Sequence, residues 1–231
     1  MIYAIILITK DVKLLNYILI DLHTHSSDSG KTGSNISGES DLEKLEILVK
    51  HNVKVACFSD HDKFYLKNYQ KRLEIIKKYH LDLVLFPGIE IDLKRIDHRV
   101  GQAVFVFNPD DDLVAIQNLF SGPKTRYSYA EIIAKLADFD FMVFPHAGKG
   151  KDNMLVDDLG NFQVDALDIT DENHANVKKI LAKRAIPLVT FSDTHTWKKY
   201  PQFSKKQTYV QSEVNFSAIK RAIQENKIII E

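Results

Sequence analysis

Two short segments near opposite ends of the chain each place two metal-binding side chains two residues apart. DLHTH contributes His23 and His25, and SDTHT contributes Asp193 and His195. Each segment follows a run of β-forming residues. Because side chains alternate between the faces of a strand, residues at i and i+2 point to the same side. Each pair could therefore bind one metal ion with two ligands.

Three further polar side chains lie between these segments, each closing an apolar run: His61 in SDHD, Glu90 in PGIE and His146 in FPHAG. A single histidine on a strand is more often a hydrogen-bonded core residue, but its recurrence at successive strand ends favours metal ligation. Mixed imidazole and carboxylate ligands suit Zn, Mn or Fe better than Mg or Ca alone. Because there are more ligands than one ion requires, the pattern predicts two or three divalent ions with a bridging carboxylate. Such centres activate water and bind phosphoryl oxygens.

The elements that must position these residues alternate between strands and helices. Strands are predicted over 17–23, 53–59, 81–91, 103–107, 141–144, 164–169, 188–191 and 207–210. Helices are predicted over 40–51, 65–79, 113–119, 129–137, 173–183 and 216–224. Ser40 and Glu43 form a capping-box pattern at the first helix. This alternation predicts a parallel sheet that closes into a barrel, with reactive groups at the carboxyl ends of the strands.

Composition restricts the classes of function. A chain of 231 residues with 45% hydrophobic and 27% charged residues is typical of one globular domain. Lys plus Arg and Asp plus Glu number 31 each, which argues against a general electrostatic site for long nucleic acids but leaves room for a local basic patch. Cys57 is the only cysteine and lies in an apolar run. We therefore expect a buried thiol and a reducing, cytoplasmic setting.

The first sixteen residues form a segment of a different kind. Its apolar run at 2–8 is too short to cross a bilayer, and it lacks the basic start of a secretory signal. Two interpretations stay open: an extra element outside the main fold, or leader sequence from an early start codon. The predicted organisation is an extension at 1–16 and one metal-dependent hydrolase domain at 17–231, with no membrane partner.

The motifs DLHTHSSDSG, FSDHD, PGIE, FPHAG and SDTHT, in this order, resemble the PHP (polymerase and histidinol phosphatase) domain family. The resemblance covers roughly residues 17 to 228. It implies an α/β fold, a distorted (β/α)7 TIM-like barrel, and phosphoesterase activity at a centre of two or three metal ions.

The resemblance also implies an assignment of ligands. It gives the first ion four side chains: His23, His25, Glu90 and Asp193. Glu90 would bridge to a second ion that His146 also binds. A third ion would be held by His61 and His195, and we expect Asp28 to be its further ligand. The residues expected to act in catalysis as well are His61, Asp193 and His195.

The chain departs from the family pattern at one ligand of the second ion. Members usually carry a histidine just before the strand that follows the GIE motif, where this chain has Gln102. His98 lies four residues earlier in a charged turn. Either the loop brings His98 to the second ion, or that ion is weakly held.

Phosphate requires cationic contacts besides metal ions. Arg126 is a candidate because a guanidinium can bind phosphate with two hydrogen bonds, and Lys149 follows His146 in a Gly-rich loop. Lys124 and Lys151 lie in the same two loops, and solvated surface charge is the alternative for each lysine.

The predicted activity is hydrolysis of a phosphate ester by a metal-bridging hydroxide. The expected substrate is a small metabolite phosphate, a nucleotide or a short oligonucleotide. Two alternatives stay open: a non-catalytic, metal-stabilised regulatory or docking module, and a C–N bond hydrolase on the same barrel. The oligomeric state does not follow from the sequence.

Overall fold

The computed structural model describes residues 16–231, so the interpretations of the N-terminal extension lie outside the described residues. The strands are β1 (Ile18–Thr24), β2 (Val53–Phe58), β3 (Val84–Lys94), β4 (Val100–Phe107), β5 (Phe141–Pro145), β6 (Leu167–Asp168), β7 (Leu188–Val189), β8 (Thr208–Val210) and β9 (Ile228–Ile230). The helices are α1 (Asp41–Lys50), α2 (Leu66–Tyr79), α3 (Leu113–Leu119), α4 (Tyr129–Lys135), α5 (Val156–Leu159), α6 (Ala175–Leu181) and α7 (Phe216–Gln224). Short 3₁₀ helices span Ser27–Thr32 and Trp197–Lys199.

The sheet is mixed rather than uniformly parallel. Seven strands follow the order β5-β4-β3-β2-β1-β8-β9, and β6 pairs with β7 in a separate parallel sheet. β1, β2 and β3 are parallel, whereas β3-β4 and β4-β5 are antiparallel. The α/β class is confirmed, but the prediction of repeated parallel strand-helix units fails here. A turn of only a few residues joins β3 to β4, and a parallel crossover needs a dozen or more.

Most predicted elements form within a few residues of their expected bounds. α3 and α7 have the predicted ends, and Ser40 and Glu43 make both capping-box hydrogen bonds at α1. The strand predicted over 164–169 pairs only at β6. α5 and the edge strand β9 were not predicted, because each is too short to show a period in the sequence.

Apolar side chains cover both faces of the large sheet. On one face, Leu19 belongs to a buried cluster that includes Leu45 and Leu48 of α1. On the other face, Ile20 and Leu22 belong to a cluster that includes Ile219 of α7. A strand buried on both faces cannot expose a polar side chain along its length. Polar groups therefore gather at one end of the sheet. None of the helices in residues 16–231 has the length and apolar character needed to cross a bilayer.

Gly88, in the PGIE motif, lies where β3 packs closest to its neighbours. A Cβ atom there would lie 2.3 Å from Cys57 Sγ and 2.7 Å from the carbonyl oxygen of Phe105. We expect Gly88→Ala to lower the free energy of unfolding by about 2 kcal/mol or more, because a backbone carbonyl in a sheet cannot easily shift. Gly38→Ala is the control, since a Cβ there meets nothing within 4 Å. Equal urea midpoints for the two variants would contradict this account.

Candidate metal centre

Seven of the side chains that the sequence nominates as ligands lie together at one end of the sheet. Their ligand atoms form three groups, and within each group the atoms lie within 4.8 Å of one another. The groups are His23, Glu90 and His146; His23, His25 and Asp193; and His25, His61 and His195. Because they share His23 and His25, the groups form one continuous cluster.

Backbone pairing at the strand ends brings these residues together. The N–H of Asp193 donates to the carbonyl of His23 at 2.8 Å, and the N–H of His25 donates to the carbonyl of Thr194 at 3.0 Å. His61 forms an isolated parallel bridge with Glu90, which lies within β3 rather than after it. The strand ends are thus held by the same hydrogen bonds that build the sheets.

Ring nitrogens in the cluster face one another at distances that need a cation or a proton between them. Nε2 of His23 lies 3.2 Å from Nε2 of His25, and Nε2 of His61 lies 3.4 Å from Nε2 of His195. Glu90 Oε1 lies 3.5 Å from His23 Nε2 and 3.4 Å from His146 Nε2. Lone pairs aimed at a common point are the arrangement that a metal ion requires.

The hydrogen bonds of His25 leave its Nε2 as the lone-pair nitrogen. Its Nδ1 lies 3.1 Å from Ser29 Oγ, whose only proton goes to Asp60 Oδ1 at 2.6 Å. Ser29 must therefore accept from His25 Nδ1–H. Since a neutral imidazole carries one proton, Nε2 is free to bind a cation.

Two more histidines have the same arrangement at Nδ1. His23 Nδ1 lies 2.9 Å from Asp168 Oδ2, and His195 Nδ1 lies 3.2 Å from the carbonyl oxygen of Asp193. Both acceptors lack a proton to give, so each Nδ1 donates and each Nε2 faces the cluster. A carboxylate or carbonyl behind the ring is the usual partner of a metal-binding histidine.

Two buried atoms at the centre, Glu90 Oε2 and His146 Nε2, make no hydrogen bond of good geometry among the described residues, although Glu90 Oε2 lies 2.9 Å from His61 Nδ1 and His146 Nε2 lies 3.4 Å from Glu90 Oε1. An unpartnered buried polar atom costs free energy that folding must offset. A bound cation would satisfy both atoms. The donor set therefore fits one or more divalent ions, and mixed nitrogen and oxygen donors are those that Zn, Mn and Fe accept.

Protonation states in the cluster also fit cation binding. Burial lowers the pKa of His25 and of His146 to about 4, so both rings are neutral near pH 7. Burial and Lys149 act to lower the pKa of His23, but nearby carboxylates raise it overall. Burial acts to raise the pKa of Glu90, yet His23 and His61 hold it well below its usual range. Without ions, the proton on His23 thus balances part of the carboxylate charge.

Sequence reasoning missed Asp168, which is fully buried behind His23. It lies in the apolar run DALDIT, and an Asp inside a buried strand was the available signal. Lys149, expected to bind substrate phosphate, instead lies 2.7 Å from Asp168 Oδ2. A groove of about 310 Å³ opens beside the cluster, and its lining includes Gln102, His146, Lys149, Lys151, Asp193 and Phe203.

Three other candidates lie outside the three groups. His98 is an exposed residue in the β3–β4 turn and lines a separate cavity with Lys94 and Phe162. Gln102 donates to Asp92 Oδ1 at 3.0 Å and lines the groove beside His146. Arg126 is exposed in the loop between α3 and α4. The structure therefore does not bring His98 to the position next to His146.

Asp28 is a further predicted ligand outside the three groups, and its carboxylate has other partners. It accepts from Arg72 Nη2 at 2.8 Å, Lys31 Nζ at 2.6 Å and Asn68 Nδ2 at 2.6 Å. Arg72 is itself buried. These contacts support a structural role for Asp28 beneath the cluster.

Asp28→Asn should lower the free energy of unfolding by about 3 kcal/mol, because it removes the carboxylate that faces a buried guanidinium. Burial acts to raise the pKa of Asp28, but Lys31 and Arg72 hold it below its ordinary value. The stabilisation is therefore present above the unfolded-state pKa and is lost as the pH falls through the folded-state value. Urea unfolding at a series of pH values measures the difference in the free energy of unfolding between the wild type and this variant. We expect that difference to disappear in acid. Loss of a metal equivalent in this variant would show instead that Asp28 is a ligand.

Comparison with solved structures shows what the fold is similar to. A protein from Bifidobacterium adolescentis, assigned as a metal-dependent phosphoesterase, matches with a TM-score of 0.57 and 14% identity, over 80% of this chain and 91% of that chain. An amidohydrolase from Chromobacterium violaceum, with bound sulfate and no metal, matches with a TM-score of 0.52 and 11% identity, over 91% of this chain and 97% of that chain. At these identities the likeness establishes the fold alone. No sequence profile of a known family and no curated protein matches the chain.

Proposed function

We propose that this protein is a metal-dependent phosphoesterase of the PHP type, and that its curled sheet is a variant of the distorted (β/α)7 barrel. The observation that carries the proposal is the convergence of histidine Nε2 atoms and the Glu90 and Asp193 carboxylates in one cluster, where Glu90 Oε2 and His146 Nε2 make no hydrogen bond of good geometry among the described residues. The order of the motifs in the sequence and the fold shared with a protein assigned as a phosphoesterase support it.

The proposed ligands divide into two layers by exposure. His23, His25 and Glu90 are buried, and with His146 and Asp193 they would hold the inner ions. His61 and His195 would complete a further site with His25. Divalent ions bound there would supply Lewis acidity, which activates water near neutral pH and neutralises charge on phosphoryl oxygens.

The partly exposed residues of the cluster are those best placed to meet substrate. The side chains of His61, Asp193 and His195 are 15%, 19% and 21% exposed. A leaving alkoxide needs a proton, and a group at the solvent-facing rim can deliver one. We therefore assign proton transfer to this rim, in addition to the ion binding that its residues share with the buried floor.

The groove beside the cluster suits a small substrate. Its volume of about 310 Å³ is at the lower end of the range for small-molecule sites. Phe203 forms an apolar wall, with its side chain exposed, and Lys151 adds positive charge. A small metabolite phosphate, a nucleotide or the end of a short oligonucleotide fits these dimensions. The single cysteine, Cys57, is a buried free thiol, which is compatible with the cytoplasmic setting that we propose.

The deciding experiment is a substrate panel. Protein freed of metal and reloaded with Mn²⁺, Fe²⁺ or Zn²⁺ would be assayed on phosphomonoesters, cyclic phosphates and short oligonucleotides. We expect turnover of at least one phosphate ester with at least one metal and none after chelation. Full metal occupancy without turnover would leave the non-catalytic regulatory or docking module as the better account.

One observation favours a second candidate. The amidohydrolase from Chromobacterium violaceum shares the fold over 91% of this chain. The same panel should therefore include amides and cyclic ureas. Hydrolysis of a C–N bond with no effect on phosphate esters would replace the phosphoesterase proposal.

A further inference from the structure

Lys149 is a buried lysine that lines the groove and whose ammonium group contacts residues of the cluster. The residue is only 5% exposed. Its Nζ lies 2.7 Å from Asp168 Oδ2 and 3.5 Å from the carbonyl oxygen of Phe191, to both of which it donates. Asp193 Oδ2 lies 3.8 Å away. Nζ also lies 3.2 Å from His23 Nδ1, so the ammonium group contacts both Asp168 and the ring that Asp168 accepts from.

Asp168 uses both of its oxygens. Oδ2 accepts from Lys149 and from His23 Nδ1, and Oδ1 accepts from the N–H of Phe191 at 3.3 Å. A carboxylate held at three points cannot rotate freely. The ring of His23 is therefore held with Nε2 toward Glu90 and Asp193.

The loop that carries Lys149 is also held in place. The N–H of Lys149 donates to Asn153 Oδ1 at 2.8 Å, and the carbonyl of Asn153 accepts from Arg95 Nη1 at 3.0 Å. Gly148 has a φ of +70°, and a Cβ there would lie 2.7 Å from the carbonyl oxygen of Asp171. The loop is thus shaped to direct Lys149 inward.

We propose that Lys149 is a positioning residue: its ammonium group holds Asp168 against His23 and so fixes the ring that binds the ions. It compensates the charge of a carboxylate that has no access to solvent. Lys151, in the same loop, supplies the positive charge to the groove. This inference rests on the proposed metal centre and replaces the expectation that Lys149 binds substrate phosphate.

The test measures ion affinity and not only turnover. The variants are Lys149→Met, Asp168→Asn and the double variant, with Lys151→Met as the control from the exposed part of the same loop. Metal-free protein would be titrated with Zn²⁺ against a competing chelator. We expect each single variant to weaken Zn²⁺ binding about 10- to 100-fold, as for other partners of metal-binding histidines. Lys151→Met should bind as the wild type does.

Coupling between the two residues gives a second readout. Each single variant leaves one buried charge without its partner, whereas the double variant leaves neither. We therefore expect the double variant to unfold at a higher temperature than Asp168→Asn and to bind Zn²⁺ no more weakly than that single variant. If the losses of melting temperature and of Zn²⁺ affinity in the two single variants simply add in the double variant, the proposal is overturned.

Two further outcomes separate this inference from the proposed function. Unchanged Zn²⁺ affinity in Lys149→Met, together with a raised KM, would make Lys149 a substrate contact and overturn the inference alone. Absence of Zn²⁺, Mn²⁺ and Fe²⁺ binding by the wild type would overturn the metal centre and this inference together.

Discussion

Glu90→Gln is expected to lower kcat/KM about 1,000-fold or more for any substrate that the wild type hydrolyses. Glu90 Oε1 lies within 3.5 Å of Nε2 of both His23 and His146, and Oε2 lies 2.9 Å from His61 Nδ1. One carboxylate therefore faces histidines from three parts of the sheet. An amide keeps the shape of this side chain but loses its charge and one acceptor, so at least one ion equivalent should be lost.

The control for Glu90→Gln must be a carboxylate that is as buried and lies away from the cluster. Asp165 meets both conditions, since its oxygens accept from the N–H of Val143 and from the amides of Gln163 and Gln224. Asp165→Asn should lower stability while leaving the metal content unchanged. Metal analysis by mass spectrometry, run beside steady-state kinetics, makes the comparison. Full metal content and full activity in Glu90→Gln would refute the proposed role.

Removal of divalent ions is expected to lower the melting temperature by about 8–16 °C. An ion present at a thousand times its dissociation constant contributes about 4 kcal/mol, and each kcal/mol shifts the melting temperature of a chain this size by about 2–4 °C. The physical reason lies in the cluster: without ions, buried atoms such as Glu90 Oε2 and His146 Nε2 make no hydrogen bond of good geometry among the described residues. Differential scanning fluorimetry with chelator, followed by addition of Mn²⁺, Fe²⁺ or Zn²⁺, measures the shift.

A pair of histidine variants shows where that stabilisation arises. His146→Ala should reduce the metal-dependent part of the melting temperature, because it removes a ligand from the group with Glu90 and His23. His80→Ala is the control, since His80 is an exposed residue that follows α2. A melting temperature that does not respond to metal in the wild type would argue against an ion-binding cluster.

The sequence predicted the location of the cluster better than the topology around it. Residues such as His23 and Asp193 were identifiable because each ends an apolar run and has a second ligand two positions away. That signal depends on the alternation of side chains along a strand, which holds for parallel and antiparallel strands alike. The predicted side chains therefore lie together despite the error in strand direction at β4 and β5.

What the sequence could not predict was which partner each charged side chain selects. Asp28 and His25 lie three positions apart, yet Asp28 is bonded to Arg72 of α2, some forty positions away. Asp168 of β6 is likewise paired with Lys149 of the loop that follows β5. Such choices depend on contacts distant in sequence, and a single chain contains no local pattern for them.

The division of the strands into two sheets has a consequence for which part of the protein unfolds first. β6 and β7 do not pair as strands with the seven-stranded sheet, and near the cluster the two parts are joined by isolated bridges, one between His146 and Asp168 and one between Thr24 and Thr194. Asp193 and His195 follow β7, whereas His23 and Glu90 lie in strands of the larger sheet and His146 directly follows its strand β5. Ions shared by these residues would cross-link the two parts. Chelation should therefore increase amide hydrogen exchange first in β6, β7 and the segment that follows β7, before the larger sheet unfolds.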